Sequence, residues 1–234
     1  MRFSAETAVL LILLLTFVVI PPSVLGHKYL ETGETGGRDY PVLVSDHQIS
    51  WAAYESLSQS KEVGYYRFDA RAGEEIYASL LIPKIERLRD FDPGLALIGP
   101  GLDSNAEVSA GTENSLDLRA EEGLILKTYS GNEDKVFFEP FTQTTYWERQ
   151  GLRRNAPETG TYHIAVFHPD GNTGKYVLAI GDKEVFGPGD ILELPATWWK
   201  VRIFTERELS TYLITGAVLG GLAVGSFFLA RALI

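Results

Sequence analysis

The sequence predicts an all-β sandwich set between two apolar ends, and three observations carry that prediction. Short apolar or alternating runs recur between turn residues from position 64 to position 180. No long helical period competes with them before position 195. The two nearly uncharged stretches, residues 7–26 and 211–234, lie outside the repeating region. At 234 residues, 45% hydrophobic and 22% charged, the chain has the composition of a folded protein and not of a disordered one.

In chain order, the N-terminus opens on Met1-Arg2-Phe3 and continues through apolar residues 8–20 to Pro21-Pro22. That run is shorter than the roughly 20 residues that cross a bilayer, and the prolines end it where a cleavage region would begin. Residues 1–26 are therefore expected to be a signal peptide, cut before His27. Residues 27–40 are polar and glycine-rich, with Gly33, Gly36 and Gly37 close together, and read as a flexible arm. The folded domain is assigned to residues 41–182.

Within it, strands are expected at 64–70, 75–82, 95–98, 123–129, 135–141, 160–167 and 175–180. Turn chemistry separates them: Ala72-Gly73, Pro93-Gly94, Gly99-Pro100-Gly101, Ser130-Gly131-Asn132 and Asp170-Gly171-Asn172. Alternation then assigns faces. Tyr162, Ile164 and Val166 point one way; His163, Ala165 and Phe167 point the other. Tyr66, Phe68, Ile76, Ala78, Leu80, Ile82, Tyr176, Leu178 and Ile180 match the first set and complete the predicted core.

Four segments carry a likeness: Gly64-Tyr65-Tyr66-Arg67-Phe68 with Ala72-Gly73 and Ile76, then Leu95-Ala96-Leu97-Ile98-Gly99, then Gly160-Thr161-Tyr162, then Gly174-Lys175-Tyr176-Val177-Leu178. Together they resemble the bacterial pre-peptidase C-terminal domain over residues 45–182. The resemblance implies a jelly-roll-like sandwich of the kind attached to secreted enzymes or surface proteins. Its motifs are turn and core residues, so they speak to fold and not to chemistry. The chain departs from the pattern in having no protease domain, and in residues 142–157, read as an inserted loop.

Residues 183–209 form the expected juxtamembrane connector, with Thr197 capping a short amphipathic helix along the membrane surface. The following 210–234 segment holds about 21 uncharged residues, at about 1.5 Å each enough to cross a hydrocarbon core roughly 30 Å thick. Trp198, Trp199, Phe204 and Tyr212 are of types that favour the membrane interface. Gly216, Gly220, Gly221 and Gly225 place small residues at one-turn spacing, where a second helix can approach closely. The expected topology is a single pass through the cell membrane with the domain outside the cytoplasm.

The formal net charge of −10 argues against nucleic acid as a partner. With no cysteine, and methionine at position 1 alone, the chain lacks disulfides, thiolate metal sites and thiol nucleophiles. No Gly-x-Ser-x-Gly elbow, His-Glu-x-x-His pair or Walker loop occurs. His163 and His168 would face opposite sides of a strand, so no metal is expected. Asp90 and Asp92, with Asp103, are a possible carboxylate set, better explained as a solvated loop. Asp170-Gly-Asn-Thr-Gly174 lacks the glutamate that a calcium loop places at its twelfth position. Tyr146, Trp147, Arg149, Arg153 and Arg154 interleave aromatics with arginines, a mixture suited to stacking on sugars or anchoring a protein. The expected function is therefore a non-enzymatic, cofactor-free binding module with a protein or polysaccharide partner. The alternatives are an accessory subunit of a membrane complex, joined through the glycine-bearing span, and a hydrolase using a carboxylate pair.

Overall fold

Residues with two-residue periodicity pair into two stacked sheets in the computed structural model, which describes residues 27–33, 37–103, 116–131 and 135–232. The expected signal peptide lies outside the described residues. The strands are β1 (Lys28–Leu30), β2 (Val42–Leu43), β3 (Trp51–Leu57), β4 (Val63–Ala70), β5 (Glu75–Pro83), β6 (Gly94–Pro100), β7 (Glu122–Lys127), β8 (Val136–Glu139), β9 (Thr144–Asn155), β10 (Gly160–Phe167) and β11 (Gly174–Ile180). One sheet has the order β1-β3-β11-β5-β9-β8 and the other β2-β4-β10-β6-β7. Two helices follow, α1 (Pro188–Phe204) and α2 (Glu208–Ala232).

The side chains assigned to the inner face by alternation form the main core. Tyr66, Phe68, Ile76, Leu80, Ile82, Tyr162, Ile164, Tyr176 and Leu178 are all buried in one cluster, and the Tyr66 and Tyr176 hydroxyls bond to each other across the sandwich at 2.9 Å. That bond satisfies two polar atoms that water cannot reach. At Gly99 an added Cβ would lie 2.1 Å from the Tyr162 ring, so this strand position must stay bare.

The opposite faces are not solvated as simple alternation implies. Ala165 and Phe167 join Tyr65, Ile98, Leu124 and Leu116 in a second cluster outside the five-stranded sheet. Outside the six-stranded sheet, Ala52, Tyr146 and Val177 pack beneath Phe204 of α1. Buried on both faces, β6 reads as a continuous apolar run instead of an alternating one.

Three expectations need correction. The described parts of the arm are built into the fold: β1 pairs in parallel with β3, and Arg38, 6% exposed, is ion-paired with Glu122. Residues 144–155 form β9, a 12-residue strand paired with β5 along its length, so the expected insertion is a structural strand. The connector helix begins at Pro188, not at a Thr197 cap; Gly187 precedes it and the Asp190 carboxylate accepts the Gly187 N–H at 2.6 Å. Pro195 lies inside this helix. It lacks one backbone donor, and the helix continues through it among largely exposed neighbours.

Among the described residues α2 is the one helix long and apolar enough to span a membrane, over Glu208–Phe228. It leaves α1 through a tight turn. Glu206 takes a left-handed conformation (φ 60°), and the Arg207 N–H closes back on the Arg202 carbonyl at 2.8 Å, a Schellman-type closure without glycine. Glu206 accepts from Arg87 and from Lys175, the latter at 2.8 Å, and so ties the turn to the sandwich. The Arg87 guanidinium, and then Lys175, hold its carboxyl below the usual range.

Candidate functional site

Three turns distant in sequence converge at one end of the sandwich: residues 45–48 ahead of β3, residues 69–74 between β4 and β5, and residues 159–161 leading into β10. The registers require this. Ile180 pairs with Trp51 and Gly160 with Ala70, so the end of β4 and the starts of β3 and β10 share one edge of the molecule. Lys175 and the α1–α2 turn lie at the other. Between the three turns is an open cleft of about 570 Å³.

Its chemistry is that of an acceptor. Asp46 Oδ1 accepts the Gln48 N–H at 2.9 Å, Asp69 Oδ1 the Thr161 hydroxyl at 2.7 Å, and Glu74 Oε2 the Arg71 N–H at 2.9 Å. Asp46 and Glu74 each spend one oxygen holding their own turn and Asp69 one tying β4 to β10, which leaves the second oxygen of each for a ligand. Thr159 Oγ1 accepts the Ala72 N–H at 3.0 Å and fixes the rim. His47 lines the cleft at 3% exposure, stacked on Phe68 at 4.9 Å, with its Nε2 unpartnered. No aromatic face suited to sugar stacking lines the cleft among the described residues; the nearby Trp51 gives its indole N–H to the Asp46 carbonyl and lies beneath the Lys28 ammonium. An arrangement of three carboxylates against one guanidinium, Arg71, favours a cationic, donor-rich ligand over a polysaccharide.

The residues singled out for partner binding are dispersed by the fold. Tyr146 and Trp147 are each 1% exposed and belong to the packed interior of β9, so the aromatic half of the expected patch is not at the surface. Arg149 is also buried: its guanidinium pairs with Asp92 at 2.7 Å, donates to the Arg89 carbonyl at 2.7 Å and lies 4.5 Å over Tyr129. Arg153 remains at the surface, bridging Glu75 and Asp182 above Tyr77. Asp92 is thus one half of an ion pair and does not make a carboxylate pair with Asp90. His168 stacks on Phe91 and accepts the Asp170 N–H at 3.1 Å, while His163 is buried beside Arg38. No three His, Asp or Glu side chains gather as a metal site among the described residues.

Trp198 and Trp199 line an apolar groove of about 270 Å³ between the helices, opposite Ile214 and Val218 and beside Phe141. Trp199 meets Tyr212 at 5.6 Å. Phe204 faces the sandwich: its ring packs edge-on against Tyr54 at 5.6 Å and carries the Lys175 ammonium. Gly216 and Gly220 look onto open space.

Sequence reasoning missed Arg202, which holds the helices to the domain. Only 1% exposed, it donates to the Thr142 carbonyl at 2.7 Å, to the Thr211 hydroxyl at 2.9 Å and to the Ser210 hydroxyl at 2.6 Å, and it lies 4.8 Å over Trp198. Burial, with Arg207 nearby, pulls its pKa down. The available signal was an arginine one turn after a Trp-Trp pair, too common on a surface helix to single out.

No family model matches the chain, and no curated protein matches it. Among solved structures it is similar to PliG of Aeromonas hydrophila, a periplasmic inhibitor of g-type lysozyme, at 13% identity and TM-score 0.32 over 56% of this chain and 84% of that one. It is similar also to the pre-peptidase C-terminal domain of a Bacillus anthracis collagenase, at 11% identity and TM-score 0.30 over 63% and 97%. A third is CorA, a surface-associated copper-binding protein of Methylomicrobium album BG8, at 10% identity and TM-score 0.32 over 64% and 100%. Similarity at this level identifies neither ligand nor activity.

Proposed function

We propose that the chain is a membrane-tethered, non-catalytic binding module, with a sandwich of the pre-peptidase C-terminal kind displayed outside the cytoplasm on a single span. Its ligand is a basic segment of a partner protein. The observation that carries this reading is the acidic cleft between Asp46, Asp69 and Glu74, open at the end of the sandwich opposite the helix turn. Binding of a fluorescent oligolysine peptide to the full chain in phosphatidylcholine nanodiscs tests it. The paired change Asp69→Asn and Glu74→Gln keeps an acceptor oxygen for each turn while removing two charges. Affinity is expected to fall at least tenfold, and to stay within twofold when Asp39→Asn and Glu62→Gln remove the same charge elsewhere. Equal losses in both variants would mean that the peptide reads net charge and not the cleft.

A second reading, an accessory subunit of a membrane complex, is favoured by α2. Among the described residues, a Cβ added at Gly216 or Gly220 would meet no neighbouring element, which leaves a close-approach surface for another helix.

A further inference from the structure

The six-stranded sheet ends on β8, a four-residue strand whose outer side no strand pairs among the described residues. Val136, Phe137 and Phe138 are 47%, 37% and 54% exposed. The partner sheet has one strand fewer, so the inner-facing pair Val136 and Phe138 projects beyond it. Natural edges are usually blunted by proline, bulges or inward charges; β8 has none of these, and its charges stand only at its ends, Lys135 and Glu139.

The register shows which backbone groups are free. Val136 opposes Trp147 and Phe137 opposes Tyr146, while the Glu148 N–H reaches the Lys135 carbonyl at 2.8 Å. Hydrogen-bonded pairs alternate along an antiparallel ladder, so Lys135, Phe137 and Glu139 turn their N–H and C=O groups toward β9. Val136 and Phe138 turn theirs outward.

The outward pattern is self-complementary. We propose that two copies of this chain join β8 to β8 in antiparallel fashion about a two-fold axis at Phe137, making one continuous sheet. Val136 of each copy then exchanges both backbone hydrogen bonds with Phe138 of the other, four in all. Phe137 faces its own counterpart in a close, non-hydrogen-bonded pair. Lys135 of each copy falls opposite Glu139 of the other, on the same face and with opposite charge. That charge match, repeated twice by the symmetry, selects a second copy over an arbitrary extended peptide.

The chain contains no cysteine, so one introduced thiol reports the register directly. Directly opposed residues in a non-hydrogen-bonded pair have Cα atoms about 4.5 Å apart, within disulfide range. Under mild oxidation in native membranes, full-length Phe137→Cys is expected to give a covalent dimer at least tenfold more abundant than Lys135→Cys gives. The two 135 positions lie four residues off register, about 13 Å apart. Independently, the wild-type chain in detergent should have the mass of a dimer, and Phe138→Lys that of a monomer with an unchanged circular dichroism spectrum. A monomeric wild type, equal crosslinking at the two positions, or a dimer that survives Phe138→Lys would each overturn the proposal.

Discussion

At the scale of single residues, burial decides most outcomes. Ile164 is fully buried at the centre of β10, so Ile164→Ala should cost about 2–5 kcal/mol, read as a lowered unfolding midpoint of the full chain. His163, beside it on the opposite face, is held by burial and by the nearby Arg38, Arg119 and Arg67 at a pKa of about 4, against the opposing pull of Glu122. The folded value lies below the unfolded one, so the stabilisation is complete above about pH 6.5 and is lost as the pH falls toward 4. Glu122 works in the same direction: burial alone would raise it, but the Arg38 guanidinium keeps its carboxyl below the usual range. Thermal midpoints at pH 7.5 and 4.5 should therefore differ, and the difference should shrink in His163→Gln. An equal difference in both proteins would assign the acid sensitivity elsewhere. Alternation made Ile164 legible as core. It hid the burial of His163, because a two-residue period says which side a residue faces and not whether that side is covered.

At the scale of elements, legibility followed regularity. The strands that read clearly, residues 64–70, 75–82 and 160–167, are flanked by glycine turns and pair along most of their length. β9 escaped because Arg149, Arg153 and Arg154 break its apolar pattern; it is committed to the sheet by pairing with β5 and by the ion pair to Asp92. The start of α1 escaped because Pro188 and Pro195 both read as breakers. The cleft was illegible for a different reason: its residues come from three turns, and no local pattern encodes their convergence. At the helix junction, Arg202→Ala would take its donor from the Thr142 carbonyl, while the Ser210 and Thr211 hydroxyls keep their bonds to the Arg207 carbonyl. Limited proteolysis at residues 205–207 should accelerate at least tenfold while the sandwich's unfolding midpoint moves little. Within α2, replacing Gly220 and Gly221 by leucine keeps the helix apolar, so membrane insertion should persist while crosslinking to neighbouring helices weakens. Unchanged neighbours would make these glycines compositional.

At the scale of the whole molecule, the five-stranded sheet is buried on both faces along β6, while the end of α1 sets Phe204 against the outer face of the six-stranded sheet before the chain turns into α2. The proposed topology places the mature N-terminus near His27, and Edman sequencing of protein recovered from membranes checks it: residues preceding Pro21 should be absent. Protease added outside intact cells should reach the sandwich. The buried arginine at the helix junction has a further consequence. A domain on a loose tether swivels, and its binding face samples a wide cone of directions above the surface. Here the first turn of the span and the body of the domain share hydrogen bonds through one rigid planar group, so tilt and azimuth are passed from one to the other. In the proposed anchored topology, rotating α2 in the bilayer would steer the cleft, and a neighbour that grips the helix would also aim the proposed ligand site.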